Sequence, residues 1–170
     1  MRYKVWVAMM SGLFALGSVQ PERLGALLTG YEESPSVSTS GTGQFSATIE
    51  SDNSISYTET FRGLQGSVTQ SHIHVGQKGV NGSIVIFLCQ TPANPDPTNL
   101  SPQCPMDGGT VSGTITPANV IAGATASQQL KANDLTAVIA AIRAGVAYAN
   151  VHTNLSPGGE IRGQIRVIAK

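Results

Sequence analysis

Charged residues are scarce in this chain. Only 12% of its 170 residues are charged, and equal numbers of acidic and basic residues give a formal net charge of +0. A nucleic-acid-binding domain normally carries a basic face, and attraction to an anionic membrane needs clustered positive charge. The composition therefore argues against both kinds of partner. Hydrophobic residues make up 41% of the sequence, which is enough for a packed core, so the chain is not of the disordered class.

Cysteine is equally scarce, since Cys89 and Cys104 are the only two. In an exported protein such a pair predicts one disulfide. Closing a loop of about 15 residues in this way stabilises a fold by roughly 3 kcal/mol. The enclosed segment is rich in proline, which excludes regular structure there. The alternative, a pair of thiolate metal ligands, lacks the C-x-x-C spacing and needs a reducing compartment. The disulfide is favoured.

Long apolar runs are absent except at the N-terminus. The basic start, Met1 to Lys4, is followed by an apolar run from Val5 to about Val19. This run is short for a membrane span and matches a secretory signal peptide, with an uncleaved anchor as the alternative. We predict a signal peptide over residues 1–19, cleaved at 17–20, and one exported domain over 23–170, either secreted or periplasmic. No membrane segment is expected beyond the signal.

The rest of the chain alternates apolar and polar residues, which is the period of half-buried strands. The predicted strands are 23–29, 44–50, 54–61, the stretch around 71–74, 83–89, 109–116, 146–153 and 160–168. The strand at 83–89 is apolar on both faces, which is typical of a central, well-covered strand.

One helix is predicted by the i, i+3, i+4, i+7 spacing of four apolar residues. These are Leu135, Val138, Ile139 and Ile142. Asn133 or Asp134 supplies the N-cap, and Gly145 stands where a left-handed residue ends a helix. About eight strands with one short helix predict an all-β fold, an antiparallel Greek-key sandwich or barrel.

The chain contains only three histidines. His72 and His74 lie two apart on a predicted strand, so they share one face while Ile73 points to the core. Val151 can anchor a second strand in the same way and leave His152 facing outward. Neutral imidazole is a common ligand of zinc and copper, so the three predict a metal site. The alternative is three unrelated hydrogen-bonding residues on a polar surface.

Three polar residues accompany the histidines. Glu160 and Arg162 share a strand face, and Glu160 either accepts a hydrogen bond from an imidazole and so orients it, or is an ordinary surface carboxylate. Asn150 has the same parity as His152, and either hydrogen-bonds into the site or serves as a structural amide.

Several motifs together resemble the CHRD (chordin-type) domain family. They are Ser71-His72-Ile73-His74, Gly79-Val80-Asn81-Gly82, the segment 148–153, the segment 157–164, the opening Leu28-Thr29-Gly30 with 38–41, and the helix start Asp134-Leu135. They span about Gly25 to Val167. The segment Tyr31-Glu32-Glu33-Ser34-Pro35 departs from the acidic, proline-rich run often found there. The resemblance implies an extracellular or periplasmic β-sandwich module that binds a partner, and no particular reaction.

A weaker, fold-level likeness to copper–zinc superoxide dismutase implies copper at His72, His74 and His152, with Arg162 steering an anion. A bridging histidine and a zinc cluster are missing. The leading hypothesis is an exported module that binds copper, or else zinc, through the three histidines. The alternatives are a copper-dependent oxidoreductase and a module without metal that binds an extracellular protein.

Overall fold

Nine strands form one antiparallel sheet within residues 21–169, the part of the chain that the computed structural model describes. They are β1 (Glu22–Thr29), β2 (Thr42–Ile49), β3 (Ile55–Arg62), β4 (Val68–Val75), β5 (Ser83–Cys89), β6 (Gly109–Ile115), β7 (Ala147–Thr153), β8 (Ile161–Gln164) and β9 (Arg166–Ala169). The strand order is β5-β4-β7-β8-β1-β2-β3-β6, and β9 pairs with β1. The predicted signal peptide lies outside the described residues.

The sheet curls until it is nearly closed, and the buried faces of its strands meet in the core. Strand β3 alternates strictly, with Ile55, Tyr57, Glu59 and Phe61 buried and the residues between them exposed. Across the core, the Tyr57 hydroxyl donates a hydrogen bond to the carbonyl of Leu88 on β5, at 2.6 Å. The all-β antiparallel prediction with one short helix is therefore confirmed.

The last predicted strand, 160–168, is two strands. β8 pairs with both β7 and β1, whereas β9 pairs with β1, so the chain loses its β7 partner at the single residue between the two strands, Ile165. The Ile165 side chain is buried, and its N–H donates to the carbonyl of Ala147. This loss of the β7 partner gives nine strands where about eight were expected.

The predicted helix is confirmed as α1 (Leu135–Arg143). Its four periodic apolar residues are buried. Asp134 is the N-cap, because its carboxylate accepts the N–H of Ala137 at 3.0 Å. Gly145 follows the helix with a φ of 71°, and β7 begins at Ala147. In residues 21–169 no helix has the length and apolar character needed to span a membrane.

The prediction that 83–89 is a central strand is wrong, because β5 lies at one end of the strand order. It is nevertheless buried on both faces, since loops cover it. Ile121 donates its N–H to the carbonyl of Val85 at 2.9 Å. The predicted disulfide between Cys89 and Cys104 is formed, and it holds the proline-rich loop at the end of β5.

Candidate metal centre

The pairing of β4 with β7 brings the three histidines together. His72 lies opposite Asn150, His74 opposite Tyr148, and His152 opposite Gln70. Residues that lie opposite each other, or two apart on one strand, share a face, so all three imidazoles are on the same side. One ring nitrogen from each histidine lies within 4.8 Å of the others.

All three histidines are buried, with relative exposures of 0% for His72, 7% for His74 and 6% for His152. This corrects the expectation that His152 faces outward. Ile73 and Val151 are buried on the opposite face, as predicted, so these strands are covered on both sides. Loops supply the second cover: His74 Nδ1 lies 3.0 Å from the carbonyl of Gly82, and His152 Nδ1 lies 2.9 Å from that of Pro157.

These two contacts fix the protonation of His74 and His152. A carbonyl oxygen only accepts, so Nδ1 carries the proton in each ring and Nε2 keeps its lone pair. Histidines that ligate metals usually donate their second ring nitrogen to a carbonyl or carboxylate in this manner. Both rings are therefore held in the form that presents Nε2 to an ion.

His72 faces His152, with its Nδ1 at 3.2 Å from His152 Nε2. This distance corresponds to a hydrogen bond from His72 Nδ1 to His152 Nε2. An ion bound to Nε2 of His152 would replace this hydrogen bond. The Phe87 ring packs edge-on against the His72 ring, with ring centres 4.3 Å apart, and forms an apolar wall of the histidine pocket.

Burial also keeps the imidazoles neutral. It holds the pKa of His72 well below the ordinary value, and the neighbouring His152 and His74 lower that pKa further. Burial lowers the pKa of His74 to about 4, although the hydrogen bond to Gly82 opposes this shift. Burial likewise lowers the pKa of His152. At neutral pH the three rings are therefore uncharged, and each keeps one nitrogen lone pair; that of His152 Nε2 accepts the hydrogen bond from His72.

Three buried acceptors on this face lack a hydrogen-bond partner among the described residues. They are Nε2 of His72, Nε2 of His74 and Oδ1 of Asn150. A buried polar atom without a partner costs about 1–3 kcal/mol, and a cation bonded to such acceptors would offset that cost. The donor set therefore fits a metal ion.

Tyr148 and Arg162 form a stack beside His74. The Tyr148 ring lies parallel to the His74 imidazole, and the Arg162 guanidinium lies 3.4 Å from the Tyr148 ring centre. Arg162 is only 2% exposed, and it donates to the carbonyls of Gln77 and Val80 at 3.1 and 3.0 Å. Its charge therefore anchors the loop over the site and does not face solvent, where an approaching anion would meet it.

The CHRD domain model matches residues 24–165, which is most of the chain and includes all three histidines. This chain belongs to the CHRD domain family. No significant match was found among the curated proteins or among the solved structures. The likeness to copper–zinc superoxide dismutase therefore stays a prediction.

In this CHRD domain, Glu160 is buried but bonds to none of the imidazoles. Its carboxylate accepts four hydrogen bonds from residues that surround it: Thr39 Oγ1, Thr153 Oγ1, and the N–H groups of Gln65 and Gly66. Burial alone would raise its pKa, but these donors together lower it. Of the two roles considered for Glu160, neither fits: it ties the loops beside the site together.

Glu33 is a site residue that the sequence did not reveal. It is buried, and its Oε1 accepts a hydrogen bond from Asn150 Nδ2 at 2.8 Å. Burial raises the pKa of Glu33 to about 7, against the lowering effect of Asn150 and Arg162. It lies in an irregular segment with no alternation, so no periodic signal marks it. Asn150 lies close enough to His74 to raise that imidazole's pKa, which places the amide inside the CHRD site.

A surface cavity of about 460 Å³ reaches His74. Most of its lining is apolar and includes Ile84, Phe87, Pro97 and Ile121.

CHRD domains are typically extracellular, and the disulfide of this chain fits export.

Proposed function

We propose that this CHRD domain is an exported binding module that holds one transition-metal ion through His72, His74 and His152. The observation that supports this proposal most strongly is that one ring nitrogen from each histidine lies within 4.8 Å of the others in a buried, uncharged pocket. Carbonyl oxygens fix the orientation of two of the rings, and Nε2 of His72 and Nε2 of His74 have no hydrogen-bond donor among the described residues. The predicted signal peptide and the disulfide support export, either to the exterior or to a periplasm.

Copper is the favoured ion and zinc is the competitor. No thiolate is available, since both cysteines are in the disulfide, and no carboxylate belongs to the group of three histidines. Imidazole suits both copper and zinc, and at a given site copper(II) binds more tightly than zinc. When bound, the ion would join β4 to β7 and so stabilise the centre of the sheet.

The test is titration of the protein, purified after export, with copper(II) and with zinc. We expect one ion per chain and tighter binding of copper. His74→Phe removes the nitrogen but keeps a ring that can stack on Tyr148, so it should lose the ion and stay folded. Phe45→Leu is the matched control, because it removes a buried aromatic ring that stacks on Tyr57 in the core and on none of the three histidines. Binding that is unaffected by His74→Phe would contradict the proposal.

The cavity beside His74 favours a second candidate, a copper-dependent oxidoreductase of a small oxidant. Such an enzyme needs a route to the ion, and this cavity reaches one of the proposed ligands, His74. Arg162 would not help there, because its guanidinium is buried against Tyr148 and the loop carbonyls. Superoxide consumption by the copper-loaded protein, compared with an equal amount of free copper, distinguishes the enzyme from the binding module.

An interaction module without metal is the remaining alternative, with an extracellular protein as its partner. It predicts that the histidines serve only as hydrogen-bonding residues in the core. The absence of stoichiometric copper and zinc binding would favour it over the metal module.

A further inference from the structure

Asn150 occupies the centre of the histidine face. On β7 it lies between Tyr148 and His152 on the same face, and across the sheet it pairs with His72 on one side and with Arg162 on the other. Side chains directly opposite each other in a sheet have Cβ atoms about 4.5–5.5 Å apart. The amide is therefore next to the imidazoles, and it is almost wholly buried with them.

The two ends of the Asn150 amide differ in their hydrogen bonding. The nitrogen, Nδ2, donates to the Glu33 carboxylate at 2.8 Å, which fixes the orientation of the whole group. The oxygen, Oδ1, is buried and has no donor among the described residues, as is the case for Nε2 of His72 and of His74. An amide that is held only at its nitrogen presents its oxygen to whatever binds between the rings.

Gly159 makes room for this arrangement. Its backbone has a φ of 122°, which L side chains rarely adopt, and a Cβ there would overlap both the Asn150 amide and the Glu33 carboxylate. The Gly159 backbone therefore packs directly against the Asn150 and Glu33 side chains.

We infer that Oδ1 of Asn150 is a further ligand of the ion, and that Glu33 positions it; this rests on the proposed metal site. The ion would then have an oxygen beside the imidazole nitrogens. Carbonyl-type oxygens of amides are ordinary metal ligands, more usual for hard ions than for copper, so the ligand set also broadens the choice of ion. The site would be closed by protein atoms, as expected of a binding module.

Four proteins test the assignment, each loaded with copper(II). Asn150→Ala removes the oxygen. Asn150→Asp combined with Glu33→Gln restores an oxygen at position 150 and keeps a hydrogen bond between the two side chains, with donor and acceptor exchanged. Asn119→Ala removes a buried amide elsewhere in the fold and controls for loss of stability. The wild-type protein is the reference, and copper affinity and the electron paramagnetic resonance spectrum are recorded for each.

We expect Asn150→Ala to bind copper at least roughly tenfold more weakly with an altered spectrum, and the double variant to recover the affinity. Asn119→Ala should keep the wild-type spectrum. An unaltered spectrum and affinity in Asn150→Ala would overturn the ligand role. So would a failure of the double variant to recover binding, because the amide would then be only structural. If the wild-type protein binds no ion, the proposed metal site itself fails.

Discussion

The His74 imidazole lies flat against the Tyr148 ring, with ring centres 4.7 Å apart and an angle of 4° between their planes. Arg162 lies against the same tyrosine from the neighbouring strand β8, so Tyr148 separates the guanidinium from the imidazole. This stack holds a candidate ligand in place while a layer of aromatic carbon separates it from a buried positive charge.

The stack predicts that Tyr148 positions His74. Tyr148→Leu should lower copper affinity by roughly 10–100-fold, because the imidazole loses the surface that fixes its plane. Tyr148→Phe keeps the ring and loses only the hydroxyl that accepts the Gly82 N–H, so it should remain close to wild type. Copper titration of both variants measures the difference. Equal affinities for Leu and Phe would show that the stack does not position the ligand.

Glu59 predicts a specific dependence of stability on pH. It is fully buried, and burial raises its pKa to about 8, with the Ser71 hydrogen bond opposing the shift. Ser71 Oγ lies near both Glu59 Oε2 and the Asn150 carbonyl, and one hydroxyl proton cannot serve both. A protonated Glu59 donates to Ser71, which then donates to the carbonyl.

The folded state therefore keeps a proton that the unfolded state releases near pH 4.5, and stability falls as pH rises from there to about 8. The buried histidines act in the opposite direction, but only below their unfolded pKa of 6.5. Between pH 7 and 8 we expect a loss of up to about 1.4 kcal/mol per pH unit. Denaturant unfolding of Glu59→Gln, which stays neutral, should show a flatter pH profile; an identical profile would contradict a protonated Glu59.

A side chain at position 159 should lower both the stability of the fold and the affinity for the ion. Gly159→Ala places a Cβ against Asn150 and Glu33 at a φ of 122°, so we expect a loss of at least about 1–3 kcal/mol of stability and weaker ion binding. Gly158→Ala is the matched control, because a Cβ there meets nothing within 4 Å. Thermal unfolding and copper titration of the two variants provide the comparison. Equal effects at both positions would show that the space above Asn150 is not required.

A substitution at Glu160 should lower the stability of the fold without weakening copper binding, unlike the substitution at Gly159. Glu160→Gln replaces one acceptor oxygen with a donor where four donors converge, so we expect a loss of about 1–3 kcal/mol. Because the carboxylate touches none of the imidazoles, one copper per chain should still bind with the wild-type spectrum. If the copper spectrum of the folded Glu160→Gln variant differed from that of the wild type, Glu160 would have to orient an imidazole after all.

The two-residue period of strands was sufficient to bring the histidines of the candidate site onto one face. It placed His72 and His74 on one face, and parity on β7 placed Asn150 with His152. The period does not reveal which loops cover a face, so the burial of the imidazoles and the carbonyl contacts of Gly82 and Pro157 could not be foreseen. Glu33 was missed for the same reason, since it reaches the site from an irregular segment.

The same limit explains the errors about the sheet. Strand β5 is apolar on both faces, and the sequence cannot distinguish cover by neighbouring strands and helices from cover by loops. The loss of the β7 partner at Ile165 also leaves no mark, because the apolar alternation continues through it. The helix was predictable to its N-cap region because its signals are local.

The most direct test of the metal site is a crystal structure of the protein grown with copper, with anomalous data collected at the copper edge. We predict one strong anomalous peak per chain, about 2.0–2.2 Å from a ring nitrogen of each of His72, His74 and His152. A fully loaded crystal with no peak among these three rings, or with copper only on the protein surface, would contradict the metal site.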